Sequence, residues 1–158
     1  MESAQNTPKA GWTRLPQAAR WLGLAGLIPF FAAAIIILWP DGAAPLGKIL
    51  QAMLVYGVAI LSFLGGVAWG AAMARGEEGW PVYILAVAPA LVGWGTLLFV
   101  YPFHQAFVMA VAFALLWLVD RQHASVGRFP ATYLTLRSVL TVGVVISFLV
   151  VGFALLPA

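Results

Sequence analysis

The side chains of this sequence that could carry out chemistry are few and lie among other charged residues. Asp120 and His123 are three residues apart. A carboxylate and an imidazole so close together could act as a general acid–base pair. Glu77 and Glu78 add two further carboxylates in another loop. A solvated face of balanced charge explains the same residues without catalysis, so we predict no catalytic residue.

Ligands for metals and cofactors are scarcer still. The sequence has two histidines and no cysteine, which excludes a thiolate metal site and a thiol nucleophile. The topology given below places His104 on the periplasmic side of the membrane and His123 on the cytoplasmic side, so the two imidazoles could not share a metal ion or a haem. The sequence has no glycine-rich phosphate loop, serine nucleophile motif or metalloprotease motif. We therefore predict no metal, no cofactor and no enzymatic activity.

The polar segment from Asp120 to Arg137 is the most informative one. Asp120 ends an apolar run, and Pro130 suits the first position of the helix that follows. We predict that Arg137, partly removed from water at the membrane boundary, pairs with Asp120 and fixes two helices together. The alternative is a site for an anionic lipid headgroup in the same region. Such a site would be built from Arg75, Arg121, Arg128 and Arg137.

Long apolar runs must position these residues. Hydrophobic residues make up 63% of the 158-residue chain and charged residues 8%, against about 25% charged residues in soluble domains. Residues 49–74 are 26 consecutive uncharged positions. As a helix they would span roughly 39 Å, more than the ~30 Å hydrocarbon core of a bilayer. The predicted fold class is therefore an all-α integral membrane bundle.

The uncharged runs predict five transmembrane helices in one domain, residues 21–158, after a flexible cytoplasmic tail, residues 1–20. The 41 uncharged residues 79–119 are too long for one crossing, and Pro102 divides them into two. A cleaved signal peptide would have a shorter apolar stretch of about 7–15 residues, so we retain the first helix. The predicted spans are residues 21–40, 49–74, 80–100, 103–120 and 137–157.

Basic residues fall on one side of the membrane when the chain crosses it five times. Seven of the eight lysines and arginines share that side, and only Lys48 lies opposite. By the positive-inside rule the shared side is the cytoplasm, so the amino terminus is cytoplasmic and the carboxyl terminus periplasmic. The net charge of +3 thus indicates contact with the lipid bilayer and its anionic headgroups on the cytoplasmic side, and no nucleic acid.

The interior of the predicted spans has no ionisable residue, which argues against a proton pump or an ion-coupled transporter. Gly66, Gly70 and Ala74 of the second helix are four residues apart. Small residues at this spacing favour close helix packing, so we place that helix at the centre of the bundle. Proline removes a helical hydrogen bond in two other spans, where the bend is static, acts as a hinge or frames a cleft. The cleft would be lined by Pro29, Tyr56, Ser62, Trp69, Pro89 and Trp94.

Four segments of the sequence resemble one protein family. They are LGLAGLIPF at residues 22–30, YGVAILSFLGGVAWG at residues 56–70, PALVGW at residues 89–94 and YLTLR at residues 133–137. The sequence is similar, over residues 16–153, to the domain-of-unknown-function 3429 family, relatives of the human transmembrane protein 69. The resemblance implies a small multi-span protein of the bacterial inner membrane or, in eukaryotes, of the mitochondrial inner membrane, and it supplies no catalytic residue. The short tail before Trp21 favours the bacterial membrane.

Small size, short loops and a helix suited to packing predict a non-enzymatic accessory, assembly or scaffolding component of membrane machinery, with another membrane protein as its partner. The alternative is a carrier or binder of a small apolar molecule, a lipid or a quinone, in the cleft at the Pro29 and Pro89 kinks. An intramembrane enzyme would have to use the acidic residues and His123, and it is the third hypothesis.

Overall fold

Six α-helices make up the part of the chain that the computed structural model describes, residues 15–40, 45–125, 127, 129 and 131–156. These residues contain no β-strand. In chain order the helices are α1 (Gln17–Ala25), α2 (Ile28–Leu38), α3 (Leu46–Ala74), α4 (Trp80–Phe99), α5 (Pro102–Ser125) and α6 (Ala131–Ala154). In this described part, five helical segments are long and apolar enough to cross a membrane, since α1 and α2 together make one crossing. The predicted all-α membrane bundle is confirmed.

The helices on either side of the polar segment are longer than the sequence predicted. Helix α5 extends past residue 120, and α6 begins before residue 137. Asp120 and Arg137 therefore lie inside the crossings His104–His123 and Thr132–Ala154, and both side chains are buried. The prediction of an interior without ionisable residues is wrong here, because the two opposite charges pair between the helices.

The first crossing begins within the predicted tail. Helix α1 starts at Gln17, and Leu15, just before it, is already buried. An apolar side chain packed against the bundle ties down the chain at this point. The remainder of the predicted tail, residues 1–14, lies outside the described residues.

The first crossing is interrupted at Gly26 and Leu27. Pro29 lies in the first turn of α2, where its missing amide hydrogen costs little. The chain bridges the interruption with a tighter turn, in which the Leu27 amide donates to the Leu24 carbonyl at 3.0 Å. The predicted bend at Pro29 is thus a break between two helices. As a result, α1 packs on α6, whereas α2 packs on both α3 and α6.

A glycine turn ends α3 and sends the chain back along it. Gly76 has a φ angle of 66°, a left-handed conformation that glycine adopts without strain. The Gly76 amide donates to the Met73 carbonyl at 3.0 Å. The Glu77 amide donates to the Ala72 carbonyl at 3.1 Å, which completes a Schellman motif. Helix α4 begins four residues after Gly76 and packs along α3.

Helices α3 and α4 come into their tightest contact at Gly65. A Cβ atom added there would collide with the backbone carbonyl of Ala86, so no side chain fits. Pro89 lies beside the same point, inside α4. By contrast, a Cβ atom added at Gly66 or Gly70 would meet nothing within 4 Å. Of these three glycines of α3, only Gly65 is therefore in close contact with another helix of the described part of the chain.

The core lies between α2, α3, α5 and α6 and is built around Phe30. The centroid of this ring is 5.1 Å from that of Tyr56, 6.3 Å from Phe113 and 5.5 Å from Phe148. Tilted and edge-on pairs at these distances are favourable aromatic arrangements. Four helices thus contribute one ring each to the same cluster.

Helix α5, and not α3, is the most buried helix. In its most apolar stretch 39% of the residues are buried, against 28% in that of α3. The prediction that α3 occupies the centre of the bundle is wrong, because Gly66, Gly70 and Ala74 all lie on an exposed face of that helix.

Candidate functional site

An apolar cavity of about 420 Å³ lies between the first crossing, α3, α5 and α6. This volume is within the ~300–1,000 Å³ typical of small-molecule sites. The side chains that line it are apolar except for Tyr56, Tyr133 and Arg137. A mostly apolar wall with a few polar groups is the usual composition of a ligand pocket.

One side of the cavity is open at the surface of the bundle, between α1 and α3. Leu22 of α1 and Phe63 of α3 both line the cavity, yet they are 74% and 67% exposed. On the opposite wall, Phe30 and Phe113 are buried in the core. Because these exposed residues belong to membrane-crossing helices, a molecule could enter sideways from lipid.

The break in the first crossing explains why the cavity lies here. Gly23 and Gly26 line it, and neither has a side chain that would fill the space. Breaking the helix leaves the Gly26 carbonyl without its helical partner, and the Tyr56 hydroxyl donates to that carbonyl at 3.2 Å. A buried carbonyl needs such a partner in lipid. Tyr56 therefore holds the broken turn beside α3 and forms part of the cavity wall.

Arg137 forms the polar end of the cavity and is only 4% exposed. Its Nε donates to Asp120 Oδ2 at 2.8 Å, and its Nη1 donates to Thr141 Oγ1 at 2.8 Å. Its Nη2 has no hydrogen-bond partner among the described residues. Tyr133 lines the cavity one turn earlier on α6. The cavity thus ends at a charged group with one donor still to be used.

A second cavity, much smaller, adjoins Asp120. Its volume is about 10 Å³, and Arg75, Asp120, His123 and Phe129 are among its lining residues. A space of ~10–15 Å³ holds one water molecule. The acid–base region predicted from the sequence therefore has no room for a substrate in this structure.

The other acidic residues of that region lie apart from Asp120 or are engaged. The Arg75 Nε is 2.8 Å from Glu77 Oε1, and Glu78 is exposed. The Tyr83 hydroxyl donates to the backbone carbonyl of Glu77 at 2.6 Å. Within the described ranges, no three histidine, aspartate or glutamate side chains are close enough to hold a metal ion.

The predicted cleft residues do not converge on one cleft. Tyr56 lines the cavity described above, whereas Pro29 and Pro89 do not. Pro29 begins α2 and Pro89 lies within α4. The cavity lies next to the helix break before Pro29. Pro89 is on the opposite side of α3 from the cavity.

The other three predicted cleft residues are held by neighbours on α3 and α4. The Ser62 hydroxyl donates to the Val58 carbonyl of its own turn at 2.9 Å. Trp69 packs edge-on against Tyr83, with ring centroids 4.8 Å apart. Trp94 is 55% exposed on α4. None of the three lines the large cavity.

The arginines of the predicted headgroup site lie in different surroundings. Arg75 is exposed at the end of α3. Arg121 is exposed, and its guanidinium lies over the Trp117 ring at 5.4 Å from the centroid. Arg137 is buried and paired with an acid, and Arg128 lies outside the described residues. The three described arginines therefore do not form one surface site.

Sequence reasoning missed most of the cavity wall. Gly26 lies three residues before Pro29 and Phe30 directly follows it, and that short motif was the available signal for a broken helix. Tyr133 and Arg137 are four residues apart and so share a helix face, which was the available signal for the polar end. Ile60 and Leu64 also line the cavity. Both are apolar residues on an apolar helix, and nothing in the sequence distinguishes them from residues that face lipid.

Comparison with known proteins covers nearly the whole chain. A protein-family model described as protein of unknown function (DUF3429) matches residues 15–153. Transmembrane protein 69 of Xenopus tropicalis is 35% identical over 135 residues, which are 84% of this chain and 52% of that protein. Transmembrane protein 69 of Mus musculus is 30% identical over 138 residues, 85% of this chain and 55% of that protein.

The chain thus spans about half the length of the curated relatives it matches. No solved structure matches the chain. The matched residues include all the residues that line the cavity. The protein belongs to the DUF3429 family, together with relatives named transmembrane protein 69.

Proposed function

We propose that the protein is non-enzymatic and holds a small apolar molecule of the membrane, a lipid or a quinone, in the cavity between the first crossing, α3, α5 and α6. The observation that carries this proposal is the apolar space of about 420 Å³. Empty apolar space inside a protein costs packing energy in proportion to its volume. A bound apolar molecule would restore the missing contacts.

The lateral opening supports a ligand that comes from the bilayer. Leu22 and Phe63 at the opening are exposed and apolar, so a molecule dissolved in lipid would pass no polar barrier. The buried wall around Phe30 gives its apolar part a fixed aromatic surface. Such a site resembles the pockets that form between the helices of bundles.

The surroundings of the ionisable residues support a non-enzymatic role. Asp120 is paired with Arg137, and the cavity beside it has room for about one water molecule. An acid–base site needs space for the reacting group within hydrogen-bond reach. A bound molecule in the large cavity would meet no carboxylate, because its three polar lining residues are two tyrosines and one arginine.

The proposed location is the inner membrane of a bacterium, with the arginine-rich end of the bundle at the cytoplasm. The described arginines lie at the start of the first crossing, the end of α3, and the facing ends of α5 and α6. An odd number of crossings brings these points to one side, which the positive-inside rule assigns to the cytoplasm. The polar end of the cavity would then face the cytoplasmic leaflet.

Filling the cavity tests the proposed function. Ile60 lines the cavity, whereas Ile84 is 60% exposed on α4, so Ile60→Trp and Ile84→Trp form a matched pair. Each protein would be purified from native membranes in mild detergent and its extract analysed by mass spectrometry. We expect one enriched molecule in the wild type and in Ile84→Trp, and its loss in Ile60→Trp. Equal contents in all three proteins would contradict the proposal.

An exposed face of α3 favours a second function, that of an accessory, assembly or scaffolding component. Ser62, Gly66, Gly70 and Ala74 are four residues apart and all exposed. Small residues at this spacing allow close approach of another helix, and the described part of the chain leaves the face uncovered. The occupant would be a transmembrane helix of another membrane protein.

Cross-linking in native membranes tests this second function. Gly70→Leu would fill the exposed face of α3, and Ala32→Leu would place the same side chain at an exposed position on α2. A partner that is cross-linked to the wild type and to Ala32→Leu, but not to Gly70→Leu, would support docking on this face. The same partner in all three proteins would place the contact elsewhere.

A further inference from the structure

We infer that the molecule in the cavity is an anionic amphiphile, whose carboxylate or phosphate is bound by Arg137 and Arg20 at the polar end. This inference rests on the proposed function and adds the chemical class of the ligand. Its apolar part would lie along the aromatic wall, and its charged oxygens would lie at the start of α6.

Arg137 supplies the first observation. The side chain is 4% exposed, and two of its nitrogens donate to Asp120 and Thr141. Its Nη2 is buried without a hydrogen-bond partner among the residues that the structure describes. Buried donors are almost always paired in folded proteins, so an orphan on a charged group calls for an acceptor. Because Arg137 lines the cavity, a ligand there can supply that acceptor.

The first crossing and α6 run in the same direction along this wall. A Cβ atom added at Gly23 would lie 3.3 Å from Leu140 and 3.4 Å from Leu136. One added at Gly143, further along α6, would lie 3.0 Å from Leu27. Residues earlier in α1 therefore lie level with residues earlier in α6.

Arg20 supplies the second observation. It precedes Gly23 by one helical turn, which places it level with the start of α6, where Tyr133 lines the cavity. Its neighbour Ala19 lines the same cavity. Its Nε is buried and has no hydrogen-bond partner within the described ranges. Arg20 itself is not among the residues that line the cavity, but it adjoins the end where Arg137 lies. Two guanidinium groups near this end thus each have a buried donor without a partner among the described residues.

The charges at this end favour an anion over a neutral acceptor. Arg20 and Arg137 bring two positive charges, and Asp120 brings one negative charge that Arg137 already holds at 2.8 Å. Tyr133 is the other polar residue lining this end. A ligand carboxylate or phosphate would accept charge-assisted hydrogen bonds from the guanidinium groups and balance the remaining positive charge.

Probes that share their acyl chains and differ in the charge of the head group test the inference. The full-length protein, immobilised in detergent at pH 8, would be titrated with radiolabelled oleate and methyl oleate, and with dioleoyl phosphatidylglycerol and dioleoylglycerol. We expect the wild type to bind the anionic member of at least one pair about tenfold more tightly, the effect of one added charge-assisted hydrogen bond. Preference within the first pair identifies a fatty-acid ligand, and preference within the second identifies a phospholipid headgroup.

Arginine variants test whether these side chains cause the preference. Arg20→Gln removes one guanidinium, and Arg137→Lys keeps the charge but replaces the three guanidinium nitrogens, Nη2 among them, by one ammonium nitrogen. We expect each to lower the preference several-fold. Arg121→Gln removes a charge from an exposed position of α5 and should leave the preference unchanged. Should Arg137→Lys fail to elute as a single folded species, Arg20→Gln against Arg121→Gln decides the test.

The results separate failure of this inference from failure of the proposed function. Equal binding of charged and neutral probes by the wild type, with all binding lost in Ile60→Trp, would overturn the anionic class and leave the cavity function standing. A charge preference that Arg20→Gln and Arg137→Lys both retain would also overturn the inference. Unchanged binding of every probe by Ile60→Trp would overturn the cavity function and the inference together.

Discussion

Arg137 of α6 and Asp120 of α5 form an ion pair between membrane-crossing helices, with Nε and Oδ2 2.8 Å apart and each side chain 4% exposed. The Trp117 indole donates to the Ser138 hydroxyl at 2.9 Å between the same two helices. Together these contacts fix the register of α5 against α6. They also hold the Arg137 guanidinium at the end of the apolar cavity.

Removing one member of this pair should destabilise the protein strongly. Asp120→Asn leaves a buried guanidinium without its counter-charge, and such a loss costs ~3–5 kcal/mol. Glu77→Gln provides a control, because the Arg75–Glu77 pair is 33% and 22% exposed and pairs of that kind contribute ~0–1 kcal/mol. The measurement is thermal unfolding in detergent. Equal melting temperatures for Asp120→Asn and the wild type would contradict a structural role for the pair.

The adjacent glycines of α3 should respond oppositely to one methyl group. Gly65→Ala places a Cβ atom against the Ala86 carbonyl and must push α4 away, at a cost of ~1–3 kcal/mol or more. Gly66→Ala meets nothing within 4 Å and should leave stability unchanged or raise it slightly. Thermal unfolding of the two variants side by side checks this. Similar losses in both would show that α3 and α4 do not pack as described.

The hydroxyl of Tyr56 should hold the broken turn of the first crossing. Tyr56→Phe removes the donor to the Gly26 carbonyl, with an expected loss of ~0.5–1.5 kcal/mol. Amides around residues 26 and 27 should then exchange hydrogen faster. Tyr101→Phe serves as the control, because Tyr101 is 79% exposed. Identical exchange at the turn in wild type and Tyr56→Phe would mean that this contact does not stabilise it.

The proposed topology rests on five crossings and the position of the basic residues. Alkaline phosphatase is active only outside the cytoplasm, so a fusion after residue 158 should be active. A fusion within the loop after Gly76 should be inactive, since that loop lies at the arginine-rich end. The same activity from both fusions would refute the proposed orientation.

The number of crossings was predictable from the sequence because it depends on local properties. Uncharged runs longer than a bilayer must be helices, and Pro102 marks the turn between two of them. The partner of Asp120 was also predictable, since Asp120 and Arg137 are oppositely charged and flank one short connection. Their nearly complete burial inside the bundle was not, because α5 and α6 extend several residues beyond the uncharged runs.

The cavity was not predictable because it depends on how helices pack. Trp69 and Trp94 are aromatic residues near kinks, which made them candidates, yet both lie on exposed faces. Aromatic side chains are favourable at lipid surfaces as well as in pockets. Ser62 satisfies its own turn, as short hydroxyl side chains in helices often do. The space opens beside the Gly26 break, where Tyr56 is the one predicted cleft residue that lines it.

Intact-mass measurement of the purified protein tests the central claim, that the cavity holds one membrane molecule, most directly. Native mass spectrometry after mild-detergent purification should show one bound small molecule per chain in the wild type and in Ile84→Trp. The same measurement on Ile60→Trp should show the bare chain. A wild-type protein that carries no bound molecule, or Ile60→Trp with the same adduct as the wild type, would contradict the account.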